Sequence, residues 1–271
     1  MDKKIEKYIS SSVKFHDFKG AVELASELGT GIEISRFGKL REIEENYNKL
    51  IKEYKAILSD FEGEVSLHGF FTNLTIASKD PLIREASRKR YAQSFELACE
   101  FGAKTVVFHT CFNNFLKHRE YRENFFLSNI EFYNEYIRQF EREKITAAIE
   151  NVHEPNNEFI RNLIGAINSP YLKATLDVGH VNLHSAIKPQ DWVKNYGLML
   201  HHLHLHNNFG DEDSHSSLLN GSADIKGVLQ AIHDLQINPS YTFEIFDKDE
   251  LIESIKYFDE IIDKINQDRK Q

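Results

Sequence analysis

Short apolar runs recur along the chain, and six of them end in a residue able to bind a metal. They are Val65-Ser66-Leu67-His68, Val106-Val107-Phe108-His109, Ala147-Ala148-Ile149-Glu150, Ala174-Thr175-Leu176-Asp177, Leu203-His204-Leu205-His206 and Tyr241-Thr242-Phe243-Glu244. From His68 to Glu244 the spacing averages about 35 residues, near one eighth of the 271-residue chain and the length of one strand-plus-helix unit in an eightfold barrel. Between the runs the period switches to that of a helix. Ala21, Leu24, Ala25 and Leu28 fall at i, i+3, i+4 and i+7, predicting an amphipathic helix stopped by Gly29. A charged helix is expected over Glu42 to Leu58. Asp80 caps a third, with Pro81 at its first position, Tyr91, Phe95 and Ala98 on one face, and Gly102 as its stop. Further helices are expected over Tyr121 to Arg142, Asn157 to Ile167 and Pro189 to Tyr196, and another opens at Asp224. The last carries Leu251, Ile255, Phe258 and Ile262, followed by a polar tail, Asn266 to Gln271, expected to fray. Lys7 to Val13 reads as a short first strand, Gly31 to Ile34 as the second, Leu172 to Asp177 as the sixth, Met199 to His206 as the seventh and Tyr241 to Ile245 as the eighth. A long polar loop runs from Asn207 to Ala223.

Unbroken alternation of strand and helix implies a parallel sheet covered on both faces. A doubly wound open sheet uses fewer units and does not bring six strand ends around one point. The expectation is α/β: one (β/α)8 TIM barrel spanning residues 1–271, with its active face at the C-terminal strand ends. Six such ends converging there hold three His, two Glu and one Asp, a donor set for a divalent metal. Carboxylates directly after apolar strands are costly to bury without partners. No Lys or Arg occupies an equivalent strand end.

Composition bounds the alternatives. Forty-one per cent of residues are hydrophobic, enough for a large core, and Lys+Arg of 33 against Asp+Glu of 42 gives a net charge of −9. An acidic chain argues against nucleic acid, whose phosphates need clustered Lys and Arg. Cys99 and Cys111 form no disulfide framework; Cys99 reads as a buried filler in a helix and Cys111 as a small loop residue. Neither an apolar leader after Met1-Asp2-Lys3-Lys4 nor a membrane-length run is visible, so a cytoplasmic protein is expected.

Two further clusters add donors: Asp177-Val178-Gly179-His180 across a tight turn, and Asp213-Ser214-His215 in the long loop. The candidates then number nine. One cation takes four to six ligands, so nine imply several metals, or one metal with several substrate-binding His.

Here the chain resembles the xylose-isomerase-like TIM barrels, which join sugar isomerases and epimerases with endonuclease IV (AP endonuclease family 2). The resemblance covers about Ala21 to Phe258. Its most specific part is Leu203-His204-Leu205-His206-Asn207-Asn208-Phe209-Gly210, then Asp213-Ser214-His215, then Gly221-Ser222-Ala223-Asp224-Ile225. These look like the H-x-N-D-x-G, D-x-H and G-x-G-x-I-D segments of members described as sugar phosphate isomerases or epimerases. Asn208 departs from the Asp of that motif, and Asn220-Gly221-Ser222-Ala223 from its Gly-Glu-Gly turn. The resemblance implies Glu150, Asp177, His206 and Glu244 as shared metal ligands. The two Glu would also be the proton donor and acceptor, and His180 a substrate contact. In endonuclease IV nine residues hold three zinc ions, and His68, His109, Glu150, Asp177, His180, His206, Asp213, His215 and Glu244 match that set in order.

The reading favoured is a divalent-metal-dependent (Mn, Mg, Zn or Fe; one to three ions) sugar or sugar-phosphate isomerase or epimerase. It would act by proton transfer through an enediolate. Phe70, Phe71, Phe112 and Trp192 are candidate pocket walls, and Asn73 a polar substrate contact. The partner expected is a small carbohydrate, with no membrane; a homo-oligomer stays open. The alternative is an endonuclease IV-like multinuclear-zinc phosphodiesterase acting on abasic DNA. Against it, the loops Ser35-Arg36-Phe37-Gly38 and Gly69 to Asn73 offer one Arg and no Lys. The loop Asn207 to Ala223 carries three acidic residues and no basic one.

Overall fold

A computed structural model describes residues 5–14, 17–37, 40–113 and 116–268; the expectations made for Met1 to Lys4, Gly38 and the end of the polar tail lie outside these. Eight strands alternate with helices: β1 (Lys7–Ser10), α1 (Phe18–Leu28), β2 (Gly31–Ile34), α2 (Leu40–Leu58), β3 (Val65–His68), α3 (Pro81–Phe101), β4 (Thr105–His109), α4 (Arg119–Glu143), β5 (Thr146–Glu150) and α5 (Glu158–Ile167). There follow β6 (Leu172–Asp177), α6 (Val178–His184), α7 (Pro189–Tyr196), β7 (Leu200–Leu205), α8 (Ile225–Asp234), β8 (Ser240–Phe243) and α9 (Lys248–Asp268). Every strand pairs in parallel with the next, and β1 closes on β8 with Ile9 opposite Phe243. The result is a closed (β/α)8 barrel.

The local signals act as their chemistry requires. The Asp80 carboxylate accepts from Leu82 N at 2.9 Å and Asp224 from Gly227 N at 2.8 Å, each satisfying an orphan donor of a first helical turn. Gly29 and Gly102 end α1 and α3 at φ of 65° and 66°, where a Cβ is unfavourable. Outward strand residues such as Ile149, Leu176, Leu203 and Leu205 are fully buried beneath the helices. Among the described residues no helix is long and apolar enough to cross a membrane.

Three expectations need correction. Trp192, expected as a pocket wall, is fully buried in the helix layer. Its indole N–H donates to Ser185 Oγ at 2.8 Å and its ring meets Tyr196 edge-on, because the apolar face of α7 turns toward the sheet and not toward the mouth. Cys99 is exposed, since it lies at the edge of the buried stripe of α3 that Tyr91, Phe95 and Ala98 form. The segment after Asp177, expected as a tight turn, is the start of a short helix, α6, with Asp177 as its N-cap.

A candidate metal centre at the barrel mouth

The C-terminal ends of β3 to β8 deliver their last polar side chains to one place. His109 and Glu150 are register partners across β4 and β5, as are Asp177 and His204 across β6 and β7. His68 Nε2 lies 3.2 Å from Glu150 Oε2 and 3.1 Å from His109 Nε2, and His109 Nε2 lies 3.2 Å from the same Glu150 oxygen. On the other side His206 Nε2 lies 3.1 Å from Asp177 Oδ1. The long loop brings in Asp213, whose Oδ2 is 3.4 Å from His180 Nε2 and 3.3 Å from His215 Nε2. A cation held at about 2.0–2.2 Å by N and O donors separates neighbouring ligand atoms by roughly 3.0–3.5 Å, and these spacings match. All nine candidates from the sequence therefore gather into one connected cluster.

Backbone contacts fix how the imidazoles present themselves. His68 Nδ1 bonds Gly69 O at 3.0 Å, His180 Nδ1 bonds Asn151 O at 3.0 Å, and His215 Nδ1 bonds Glu244 O at 2.7 Å. Each of these Nδ1–H groups donates to a carbonyl, leaving the Nε2 lone pair for the site, the usual arrangement behind metal-ligating histidines. Asp177 is held by Asn151, which accepts from Asp177 N at 2.9 Å and donates to Asp177 O at 3.0 Å. Asp177 Oδ1 also accepts from His180 N at 2.6 Å, tying the carboxylate to the first turn of α6. Gly179 in that turn is obligatory for the same reason: a Cβ there would lie 2.0 Å from His206 Cε1.

The charge balance of the cluster is unusual. Glu150 is 1 % exposed and Asp177 and His206 are fully buried. Among the described residues the ion-pair partners of Glu150, Asp177, Asp213 and Glu244 are histidines, with no Lys or Arg. Both oxygens of Glu150 and Nδ1 of His206 are buried without a hydrogen bond. Burial alone would raise the Glu150 and Asp177 carboxyls. The imidazoles outweigh it: His109 and His204 hold Glu150 well below the usual carboxylate range, and His180 and His206 lower Asp177. Reciprocally, burial pulls His68, His180 and His215 down, but Glu150, Asp177 and Asp213 outweigh it and raise all three, His215 to about 9. His109 goes the other way, because burial exceeds the pull of Glu150. Buried carboxylates with unsatisfied oxygens, faced by oriented imidazole nitrogens, fit a divalent cation in both charge and donor type.

Comparison with known proteins gives the family and the fold. The family described as xylose isomerase-like TIM barrel matches residues 22–263. The chain belongs to that family. An uncharacterized protein of Methanocaldococcus jannaschii, MJ1311, is 24% identical over 230 residues, covering 81% of this chain and 77% of that one. Among solved structures, a D-tagatose 3-epimerase-like protein superposes with a TM-score of 0.83 at 21% identity, covering 97% of this chain and 99% of its own. The TTHB071 protein from Thermus thermophilus, soaked with ZnCl2, superposes at 0.78 with 23% identity, covering 97% and 99%.

In this xylose isomerase-like barrel the rim is less uniform than the centre. Phe71 meets His68 and His109 with ring centroids 5.0 and 4.5 Å away. Phe71 and Phe70 line a cavity of about 230 Å³ together with His68, Arg36, Thr72 and Arg90. Asn73 sits at φ 58° in an exposed turn and lines a neighbouring cleft with Cys111 and Tyr121. Phe112 packs into an aromatic group with Tyr121, Phe125 and Phe159. Asn208, which replaces the motif's Asp, is fully buried; its amide donates to Gly179 O at 3.0 Å and its oxygen accepts from Gly210 N at 3.0 Å. Donation to a carbonyl requires an amide, which accounts for Asn at this position. Sequence reasoning missed Glu33, His202 and His204, which occupy the barrel interior directly beneath the cluster and are all fully buried.

Proposed function

We propose that this protein is a divalent-metal-dependent isomerase or epimerase of a sugar or sugar phosphate. The observation that carries the reading is the convergence of Glu150 and Glu244, from β5 and β8, on one point. Their oxygens lie 3.3 and 3.6 Å from the same nitrogen, His204 Nδ1, with Asp177 Oδ2 3.8 Å from it. Two carboxylates gathered from different strands beside one would-be cation site suit a reaction that removes a proton from one face of a carbon and returns it on the other. Glu150, Asp177, His206 and Glu244 would hold the cation, with His68, His109, His180, Asp213 and His215 able to hold more. When bound, the cation supplies Lewis-acid polarisation of a carbonyl and the hydroxyl beside it.

The chain's own groups do the rest. Glu150 is held ionised at neutral pH and so is ready to accept the proton on the carbon next to the carbonyl, giving a cis-enediol(ate). Glu244, entering protonated, returns a proton to the opposite face for epimerisation, and exchange with solvent then restores both side chains; isomerisation instead places the proton on the adjacent carbon while a hydroxyl proton passes between the two enediol oxygens. His180, fixed through Nδ1, directs Nε2 toward substrate oxygens, and Phe71 shields the pocket from water. The likeness to a D-tagatose 3-epimerase-like protein and to a zinc-soaked relative supports both the substrate class and the metal.

The test is solvent exchange. Mn²⁺-loaded protein in deuterated water should place deuterium on a carbon adjacent to the carbonyl of at least one ketose or ketose phosphate. Glu150→Gln and Glu244→Gln should each slow that exchange by about 10²–10⁴-fold. Absence of exchange across the whole panel would count against the proposal. The gathering of all nine donors favours a second reading, multinuclear phosphodiester hydrolysis at abasic sites. The long loop opposes it, placing Asp211, Glu212 and Asp213 at the rim with no Lys or Arg between Asn207 and Ala223. Nicking of an abasic duplex by the zinc-loaded protein, lost in Glu244→Gln, would reverse the order.

A further inference from the structure

Beneath the nine donors lies a second polar layer that the sugar chemistry above does not use. Glu33 comes from β2, His202 and His204 from β7, three strands away round the closed barrel, so their contacts cross its interior. Glu33 Oε2 accepts from Ser66 Oγ at 3.0 Å and Thr242 Oγ1 at 3.0 Å, and lies 3.1 Å from His202 Nε2. His202 is fixed in turn by Ser240 Oγ at 2.6 Å from its Nδ1. Residues of β3, β7 and β8 thus hold one oxygen of Glu33 and leave the other, Oε1, aimed at His204 Nε2 at 3.1 Å. Oε1 has no hydrogen-bond partner, and neither ring nitrogen of His204 has one.

We infer that His204 is a further ligand at the floor of the metal centre, presented through Nδ1 by Glu33. The inference rests on the metal-dependent reading above and adds to it a donor and its support. His204 Nδ1 faces upward to Glu150, Glu244 and Asp177, three of the four residues expected to hold the cation. The shortest of these distances, 3.3 Å to Glu150, falls within the separation of neighbouring ligands around one ion, and the other two, 3.6 and 3.8 Å, lie just beyond it. Glu33 Oε1 lies within ion-pair distance of Nε2 without making a hydrogen bond to it, and its charge favours the proton on Nε2, which leaves the lone pair to Nδ1. This is the reverse of His68, His180 and His215, whose Nδ1–H groups are tied to carbonyls and whose Nε2 atoms face inward. Carboxylate, imidazole and metal in series is a recurrent device for orienting a ligand and raising its basicity. Here it also explains a fully buried Glu whose ion-pair partners among the described residues are both histidines. His204 is accordingly a binding residue and Glu33 a positioning residue.

The experiment uses the intact protein, labelled with spin-active nitrogen in its histidines and loaded with spin-active cadmium. A one-bond coupling between cadmium and His204 Nδ1 is expected. Coupling to His206 and other imidazoles without His204 would overturn the inference and leave the metal centre standing. Failure to bind cadmium, zinc or cobalt at all would overturn both. Glu33→Gln should weaken zinc affinity by about 10–100-fold in competition with a chromophoric chelator, and the loss should vanish in a His204→Gln background. An equal loss with and without His204 would overturn the positioning role, because a general structural defect does not depend on that one ring.

Discussion

Substituting Gly179 by Ala separates the fold from the site. A Cβ at Gly179 would lie 2.0 Å from His206 Cε1, 2.4 Å from Nδ1 and 2.5 Å from Nε2. Carbon atoms in contact sit about 3.5–4.0 Å apart, so the fully buried His206 ring must move by roughly 1.5 Å. Two stability terms then oppose each other. Alanine is favoured over glycine in a helix by about 1 kcal/mol, while forcing an extra methyl into a packed interior costs about 1–3 kcal/mol. The net is a destabilisation of about 0–2 kcal/mol, a fall in Tm of at most about 8 °C for a chain of this size. Metal binding has no such compensation, because a ligand displaced by more than 1 Å leaves its coordination position, and zinc affinity should fall by at least about 100-fold. Thermal unfolding in chelator and zinc competition measure the two effects separately. Gly165→Ala, in α5 with nothing within 4 Å of its Cβ, is the control and should stabilise by about 0.5–1 kcal/mol with zinc affinity unchanged. Wild-type zinc affinity in Gly179→Ala would refute the placement of His206 as a ligand.

Two further outcomes follow from the charge and hydrogen-bond pattern. The His68, His180 and His215 imidazoles are raised in the metal-free fold, so their stabilisation is full below about pH 6.5 and is lost as pH rises through their folded values. For His215, raised from 6.5 to about 9, this is about 3 kcal/mol. The lowered carboxyls of Glu150, Asp177 and Asp213 stabilise above about pH 4 and lose that contribution in acid. Burial lowers His109, His201 and His202, which cost stability as pH falls below about 6.5. The Tm of chelator-treated protein should therefore be highest near about pH 6.5 and fall toward both acid and pH 9, whereas zinc-loaded protein should hold its Tm on the alkaline side; a flat metal-free profile would contradict this. Asn208→Asp, though it restores the motif's residue, removes the donor to Gly179 O and buries a carboxylate against a carbonyl. It should cost about 3 kcal/mol or more, and an unchanged Tm would show that the amide is dispensable.

The barrel was legible because each buried strand ends abruptly in a polar residue and each helix carries its own stop. The same abruptness exposed the upper ring of ligands. The layer below was hidden, because Gly31-Ile32-Glu33-Ile34 reads as an ordinary half-exposed strand and only closure of the barrel puts Glu33 within reach of β7. His204 stood inside a recognised run yet gave no signal, since period-two alternation does not tell an interior ligand from an interior packing residue. Trp192 misled for the opposite reason: an aromatic near the C-terminal face is read as a wall until the packing of α7 fixes its direction. Helix α6 was unreadable because Gly179 looks like a turn, and its need for a glycine comes from the His206 ring 27 residues later in the chain.

The central claim is that Glu150, Asp177, His206 and Glu244 enclose a divalent cation. Anomalous diffraction from crystals of the metal-loaded protein tests it directly, by placing the ion against those side chains. The account predicts a peak about 2.0–2.3 Å from oxygens of Glu150, Asp177 and Glu244 and from a His206 nitrogen. A fully loaded protein with its only anomalous peaks away from these four residues would contradict it.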